Sequence, residues 1–251
     1  MTYNFKGKTA VVTGASRGLG EAIARTLAAD GARVILVARS GDALRELAAS
    51  MPNNPVVVEA DLSRADGWKT AAAAVLAAEP KIDILVNNAG VGGRQALAKI
   101  TDDELDRIMM VNVRNLILLS HALTESLTAT RGNIVNISSV AAFSGGTGQI
   151  AYSTSKGAVN AFTRNASIDL GRVGVRVNAV APGVIDDGMW TTAFKSGVDR
   201  EKTFEAMRRL LPLEGRWGAA QHIADAVAWL ASDKADYVTG QTIRVDGGMI
   251  V

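Results

Sequence analysis

The stretch SSVAAFSGGTGQIAYSTSK, residues 138–156, carries a hydroxyl, a phenol and an ammonium at spacings that suit carbonyl chemistry. Tyr152 and Lys156 are four residues apart. A helix opening near Tyr152 therefore places both side chains on one face, with the ammonium beside the phenol. A free tyrosine has a pKa of about 10, and a neighbouring positive charge favours the phenolate and lowers that value. Tyr152 then becomes a usable general acid or base close to neutrality. Ser139 precedes it by thirteen positions, at the end of the apolar strand pattern IVNIS. There its hydroxyl can leave the strand end and hold a substrate oxygen. By itself, Tyr-x3-Lys also occurs on ordinary helix surfaces, so the elements around it decide.

Those elements alternate. Apolar runs read as strands at residues 8–12, 33–38, 55–60, 82–86, 133–138, 175–180 and 242–245. Amphipathic stretches read as helices at 20–29, 42–50, 65–78, 101–119, 152–170 and 219–231. Strand and helix in turn build a parallel sheet of about seven strands, doubly wound with helices on both faces. Thr101 with Glu104 forms a capping-box pair. The helix they open is apolar on most sides, through Leu105, Ile108, Met109, Val113, Leu116, Ile117 and Leu119. One face cannot absorb so much, which predicts the sheet on one side and a second subunit on the other. Asn112 lies inside this apolar run and costs stability unless its amide is satisfied.

Before these, TGASRGLG at 13–20 follows a strand and opens a helix, the setting in which backbone N–H groups and the helix dipole hold a pyrophosphate. Its spacing is GxxxGxG rather than GxGxxG. Asp61 ends the pattern VVVEAD and is either a ligand group at a strand's C-terminal end or a helix N-cap. Asn87, Asn88, Ala89 and Gly90 close the fourth strand.

The glycine loop, the NNAG turn and the Ser-Tyr-Lys stretch occur in that order and together resemble the short-chain dehydrogenase/reductase family, over residues 13–248. The resemblance implies a Rossmann-type fold and reversible hydride transfer between a nicotinamide and a ketone or secondary alcohol. It assigns the substrate oxygen to Ser139, proton transfer to Tyr152, and to Lys156 both the lowering of the tyrosine pKa and the nicotinamide ribose. Asn112 becomes the fourth catalytic member, holding a water next to Lys156. The cofactor is then bound by Gly14, Ser16, Arg17, Gly18, Leu19 and Gly20, with Tyr152 and Lys156. Asp61 takes the adenine amino group with Leu62 alongside. Asn88, Ala89 and Gly90 line the adenosine site, Asn88 mainly as a structural residue. Pro182, Gly183 and Ile185 receive the carboxamide, Ile185 by its backbone. Asp187 stands where many relatives carry threonine, which puts an acidic group either near the ring or in a solvated loop.

The second strand bears on which nicotinamide is used. An NAD site asks for a carboxylate at that strand's end, about 20 residues past the glycine loop. Here the place holds Ala38, followed by Arg39. A carboxylate repels a 2′-phosphate, whereas a guanidinium forms charge-assisted bonds to it, and Arg17 can approach from the other side. NADPH is therefore expected over NADH, unless both arginines are merely solvated.

Composition excludes several alternatives. The 251 residues are 48% hydrophobic and 21% charged, enough for one packed dinucleotide-binding domain over 1–251. Lys and Arg number 27 against 25 Asp and Glu, a net charge of +2, so nucleic acid is not an expected partner. There is no cysteine, and His121 and His222 stand alone, which leaves no metal site in view. With no long apolar run and no leader-like start, a soluble cytoplasmic protein is expected. Residues 186–212 read as a lid, where Trp190 and Phe194 either cover an apolar substrate or simply pack. Gly92, Arg94, Phe143 and Gln149 follow other strand ends and are further pocket candidates. Met249, Ile250 and Val251 add an apolar end, and a homotetramer is what the resemblance implies. The substrate classes in view are 3-oxoacyl thioesters, then sugar, polyol, steroid or xenobiotic carbonyls. A dinucleotide-binding sensor without turnover is the alternative, since fold does not fix function.

Overall fold

Runs such as TAVVT and RVILVA are apolar on both faces, and each becomes a strand covered from both sides. In the computed structural model, which describes residues 3–186 and 197–250, the strands are β1 (Thr9–Thr13), β2 (Arg33–Ala38), β3 (Val56–Glu59), β4 (Ile84–Asn87), β5 (Asn133–Ile137), β6 (Arg176–Pro182) and β7 (Thr242–Val245). They form one parallel sheet in the order β3-β2-β1-β4-β5-β6-β7. The chain builds outward from β1 to β3, then crosses back to lay β4 against the free side of β1. The order reverses there, and a crevice opens at the strands' carboxyl ends.

The helices are α1 (Gly18–Ala29), α2 (Gly41–Ala49), α3 (Gly67–Ala78), α4 (Asp102–Met109), α5 (Asn115–Ala122), α6 (Thr124–Thr130), α7 (Ile150–Gly171), α8 (Arg200–Arg208) and α9 (Ala220–Ala231). Period-two alternation along β1 decides which helices it meets. Ala10 and Val12 join the core beneath α1, α2 and α9. Val11, between them, joins the opposite core, which includes Ala71 and Val75 of α3, Leu119 of α5 and Ala166 of α7.

The expected single helix over 101–119 is not one helix. α4 ends at Met109, a π-helical turn covers Met110–Arg114, and α5 resumes at Asn115. Its apolar residues divide: Ile108, Leu116 and Leu119 are buried, while Leu105 and Ile117 keep 38% and 36% exposure. Within the expected lid, α8 packs Phe204 and Met207 onto a small cluster of Val184, Leu211 and Trp217. Met249 also packs on that cluster, so it is not simply an exposed apolar end. Asp187, Trp190, Phe194 and Val251 lie outside the described residues. Among the described residues no helix is long and apolar enough to cross a membrane, and no cluster of His, Asp or Glu could hold a metal ion.

Candidate active site

At the end of β5 the chain turns into a single 3-10 turn, Val140–Ala142, that opens on Ser139. The two consecutive serines have different partners. Ser138 is buried and donates to Asn160 Oδ1 at 2.6 Å, fastening the strand end to α7. Ser139 accepts from the Ala141 N–H at 3.2 Å, and its hydroxyl neighbours the Tyr152 phenol. Tyr152 lies in the first turn of α7, and Lys156 follows one turn later. The Lys156 Nζ stands 5.8 Å from the Tyr152 ring centroid and donates to the Ile137 carbonyl at 2.8 Å.

The electrostatics differ from the expectation for an isolated pair. Burial pushes the Lys156 ammonium down to about 8. Tyr152 is raised, not lowered: desolvation among dense neighbours outweighs the lowering effect of the Ser139 hydroxyl beside it. Lys156 is held at the end of β5 by its bond to Ile137. In the free protein Tyr152 is therefore a neutral phenol, a proton donor already in its acid form.

Asn112 sits in the π-helical turn, fully buried. Its Oδ1 accepts from Val91 N at 2.8 Å, and its Nδ2 donates to Val91 O and to Ser155 Oγ, both at 3.0 Å. The side-chain amide is committed to Val91 and α7, and so ties the loop after β4 to the helix that carries Tyr152. Gly90 adjoins both groups: a Cβ there would lie 3.4 Å from Asn112 Oδ1 and from Lys156 Nζ.

At the cofactor end Gly14 and Gly18 take positive φ, +65° and +62°. A Cβ at Gly20 would overlap the Gly14 carbonyl, so this glycine lets α1 close onto the loop rather than opening the loop to a ligand. Leu19 packs against the core beside it, and Ser16 is half-buried. Asn88 donates to Thr13 O at 2.9 Å and Gly14 O at 3.2 Å. The Thr13 hydroxyl accepts from the N–H groups of Asn88 and Ala89, both at 3.0 Å. The glycine loop and the NNAG turn are thus one unit across the crevice between β1 and β4.

Asp61 does not cap a helix. Its Oδ1 accepts from Ser63 N at 2.9 Å and Ser63 Oγ at 2.7 Å. Burial alone would raise its pKa, yet the Ser63 bonds with Arg39 and Arg64 leave it lowered. Arg39, directly after β2, is 68% exposed and only 4.0 Å from Asp61 Oδ1. Arg17 precedes α1, exposed and with no side-chain partner among the described residues. Because Gly14 N and Ala15 N both donate to Val37 O, the loop bearing Arg17 rests on the end of the strand that leads to Arg39.

Past β6, Pro182 pairs with Val245, and Gly183 N donates to Val245 O at 3.0 Å. Ile185 bridges Gly218 through its neighbours: Gly218 N donates to Val184 O and Asp186 N to Gly218 O, each at 2.9 Å. The N–H and C=O of Ile185 itself make no bond among the described residues and face away from Gly218. Of the pocket candidates, Gln149 bridges Gln95, which brings the loop of Gly92 and Arg94 against the start of α7. Phe143 lies 47% exposed under the Arg244 guanidinium.

Sequence reasoning missed Asn115, whose buried Nδ2 donates to Leu62 O and Arg64 O at 2.7 Å and shapes the turn after Asp61. The signal that singled out Asn112, an amide in an apolar helix, applies equally three residues later. Arg107 was missed too. It donates to Gly92 O at 2.7 Å and pairs with Glu104 at 2.8 Å, and an exposed arginine on a helix gives no sequence warning of that.

Residues 14–250 match the family model described as enoyl-(acyl carrier protein) reductase. The chain is 37% identical over 246 residues to a 3-oxoacyl-(acyl-carrier-protein) reductase of Rickettsia felis, covering 98% of each chain. It is 38% identical over 247 residues to the protein of that name from Escherichia coli, again covering 98% of each. The chain belongs to the short-chain dehydrogenase/reductase family. A solved short-chain dehydrogenase structure from Sinorhizobium meliloti, assigned as an alcohol dehydrogenase, superposes with a TM-score of 0.91 at 29% identity, over 99% of this chain and 98% of that one. Short-chain dehydrogenase/reductase enzymes thus share the fold along its whole length.

Proposed function

We propose that the chain is an NADP(H)-dependent oxidoreductase that interconverts a ketone and a secondary alcohol, with Tyr152 as the proton donor and acceptor. The observation that carries this is that Tyr152, in the first turn of α7, stands beside Ser139 with Lys156 one helical turn away. Two hydroxyls that meet side by side can both donate to one carbonyl oxygen and stabilise the developing alkoxide. A bound nicotinamide supplies the hydride. The neutral Tyr152 phenol gives its proton to the oxygen, and Lys156 beside it carries the positive charge that then favours the phenolate.

The crevice fits that cofactor. Gly14, Ser16, Gly18 and Leu19 would hold the pyrophosphate on α1, with Gly20 letting that helix close onto the loop. Asp61, Leu62, Ala89 and Gly90 would border the adenosine, with Asn88 fixing the loop. Pro182, Gly183 and the backbone of Ile185 would receive the carboxamide. Arg17 and Arg39 support the phosphorylated nicotinamide, since both are exposed and flank the β1 and β2 ends.

The names of the relatives favour a 3-oxoacyl thioester as substrate, and the description of the family model raises an enoyl thioester as a second reading. A panel of 3-oxoacyl thioesters, 2-enoyl thioesters, simple ketones and sugars, followed at the nicotinamide absorbance band with NADPH and NADH, separates them. Turnover of the 3-oxo compounds with NADPH is expected. Turnover of enoyl compounds alone, or none despite cofactor binding, would overturn the carbonyl reading, and the latter would leave the sensor. Wild type is expected to favour NADPH in kcat/KM, and Ala38→Asp with Arg39→Ile to reverse that order. An unchanged order in the double variant would refute the assignment of Arg39.

A further inference from the structure

The segment that leaves β6 is tied into a closed ring of contacts that the proposed chemistry does not itself require. Asp186 Oδ2 accepts from Arg200 Nη2 at 2.7 Å. Arg200 opens α8 and lies with its guanidinium 5.2 Å from the Phe204 ring centroid, one helical turn on. Phe204 stacks on Trp217 with centroids 3.8 Å apart and planes 2° from parallel. Trp217 is buried and precedes Gly218. Gly218 closes the ring through its two backbone bonds to Val184 and Asp186, with Ile185 between them. The approach there is tight, since a Cβ at Gly218 would lie 2.6 Å from Ile185 Cδ1.

We infer that Asp186 and Arg200 form a positioning pair that couples α8 to the backbone of Ile185. The inference rests on the reading of Ile185 as the carboxamide holder. Its physical basis is a difference in what the ion pair can do. At 38% and 59% exposure for the two side chains, the pair sits in water and adds little to global stability, about 0–1 kcal/mol. Its geometric effect is larger. Asp186 is the residue next to Ile185 and carries one of the two bonds that fix its strand-like segment, so a pull on its carboxylate rotates the Ile185 N–H and C=O. Small misplacements at a reacting centre cost far more in rate than in stability. Through the Phe204–Trp217 stack, the same guanidinium also holds the far end of the ring. The position of α8 and the seat of the nicotinamide then change together.

The test is a double-mutant cycle with Asp186→Asn, Arg200→Gln and the pair combined, read by cofactor titration, by kcat and KM for carbonyl reduction, and by thermal unfolding. Each single change is expected to raise the Kd for NADPH and to lower kcat/KM, together by roughly tenfold to a hundredfold. The midpoint of unfolding should stay within about 3 °C of wild type. The double variant should be no worse than the worse single one, because two groups that act as one unit are lost only once. Losses that multiply in the double variant would overturn the coupling, as would singles that bind and turn over like wild type. A large fall in the unfolding midpoint, in step with the lost activity, would make the pair merely structural and overturn it too. Failure of the underlying reading is seen separately: an unmutated protein that binds neither nicotinamide would remove the carboxamide site and the inference with it.

Discussion

At the scale of single residues, the site is built from two groups that burial drives toward neutrality. Removing only the Tyr152 hydroxyl, in Tyr152→Phe, takes away the proton transferred and one of the two donors to the substrate oxygen. Turnover should fall by about 10²- to 10⁴-fold while cofactor titration changes little; retention of more than a tenth of the rate would exclude Tyr152 as the acid. Lys156 offers a test of sign. Its ammonium is penalised in the folded chain, at about 8 against an ordinary value of 10.5. Between those two values the unfolded chain binds more protons, so folded stability rises with pH through the window and the penalty is complete below it. Measured against Lys156→Met without cofactor, wild type should gain about 3 kcal/mol from pH 8 to 10.5. Chemical unfolding at pH 7, 8, 9 and 10 checks this, and a flat or falling difference would mean that the ammonium is not buried as described.

The elements show how a buried polar side chain is made tolerable. The π-helical turn Met110–Arg114 widens the helix where Asn112 must reach Val91 and Ser155, and such turns often mark functional places. Asn112→Ala leaves the Val91 N–H and C=O without their partners in a part-buried setting. The expected cost is about 2–3 kcal/mol, seen as a midpoint lower by roughly 4–10 °C in thermal unfolding. An unchanged midpoint would show that water replaces the amide at no cost. The same logic runs through the interior: Asn87 donates to Asn136 Oδ1 and Ser120 Oγ, and Asn136 to Thr163 Oγ1, each at 2.9 Å. This buried chain of amides and hydroxyls fixes β4 and β5 against α5 and α7, the frame on which Ser139 and Tyr152 meet.

For the whole molecule, the unfinished surface is apolar. Leu105 on α4, Ile117 on α5 and Ile168 on α7 are 38%, 36% and 63% exposed, and Val173 just beyond α7 is 46% exposed. α4 and α5 with α7 cover one side of the sheet, and a second subunit laid there would bury these side chains. The proposal of a homotetramer is checked by light scattering at micromolar concentration, where a mass near four times 26.2 kDa is expected. A single species of 26.2 kDa would exclude any such assembly.

Some of this was written in the chain itself. Alternating apolar runs and amphipathic stretches determine a parallel α/β sheet, because strand periodicity and helix periodicity are local properties that need no partner to be read. The glycine loop, the NNAG turn and the i, i+4 pair Tyr152 and Lys156 are equally local, so their places on loop, turn and helix were legible. What the sequence could not decide depended on distance in space between residues far apart in the chain. That α1 closes on Gly14 through Gly20, that Asn88 and Thr13 join two loops, and that Asn112 and Asn115 spend their amides on Val91, Leu62 and Arg64 are all choices of tertiary packing. Burial is the clearest case. The sequence alone put a cation beside a phenol and predicted a lowered pKa, but desolvation is a property of the surrounding shell, and it raises Tyr152 and lowers Lys156 instead.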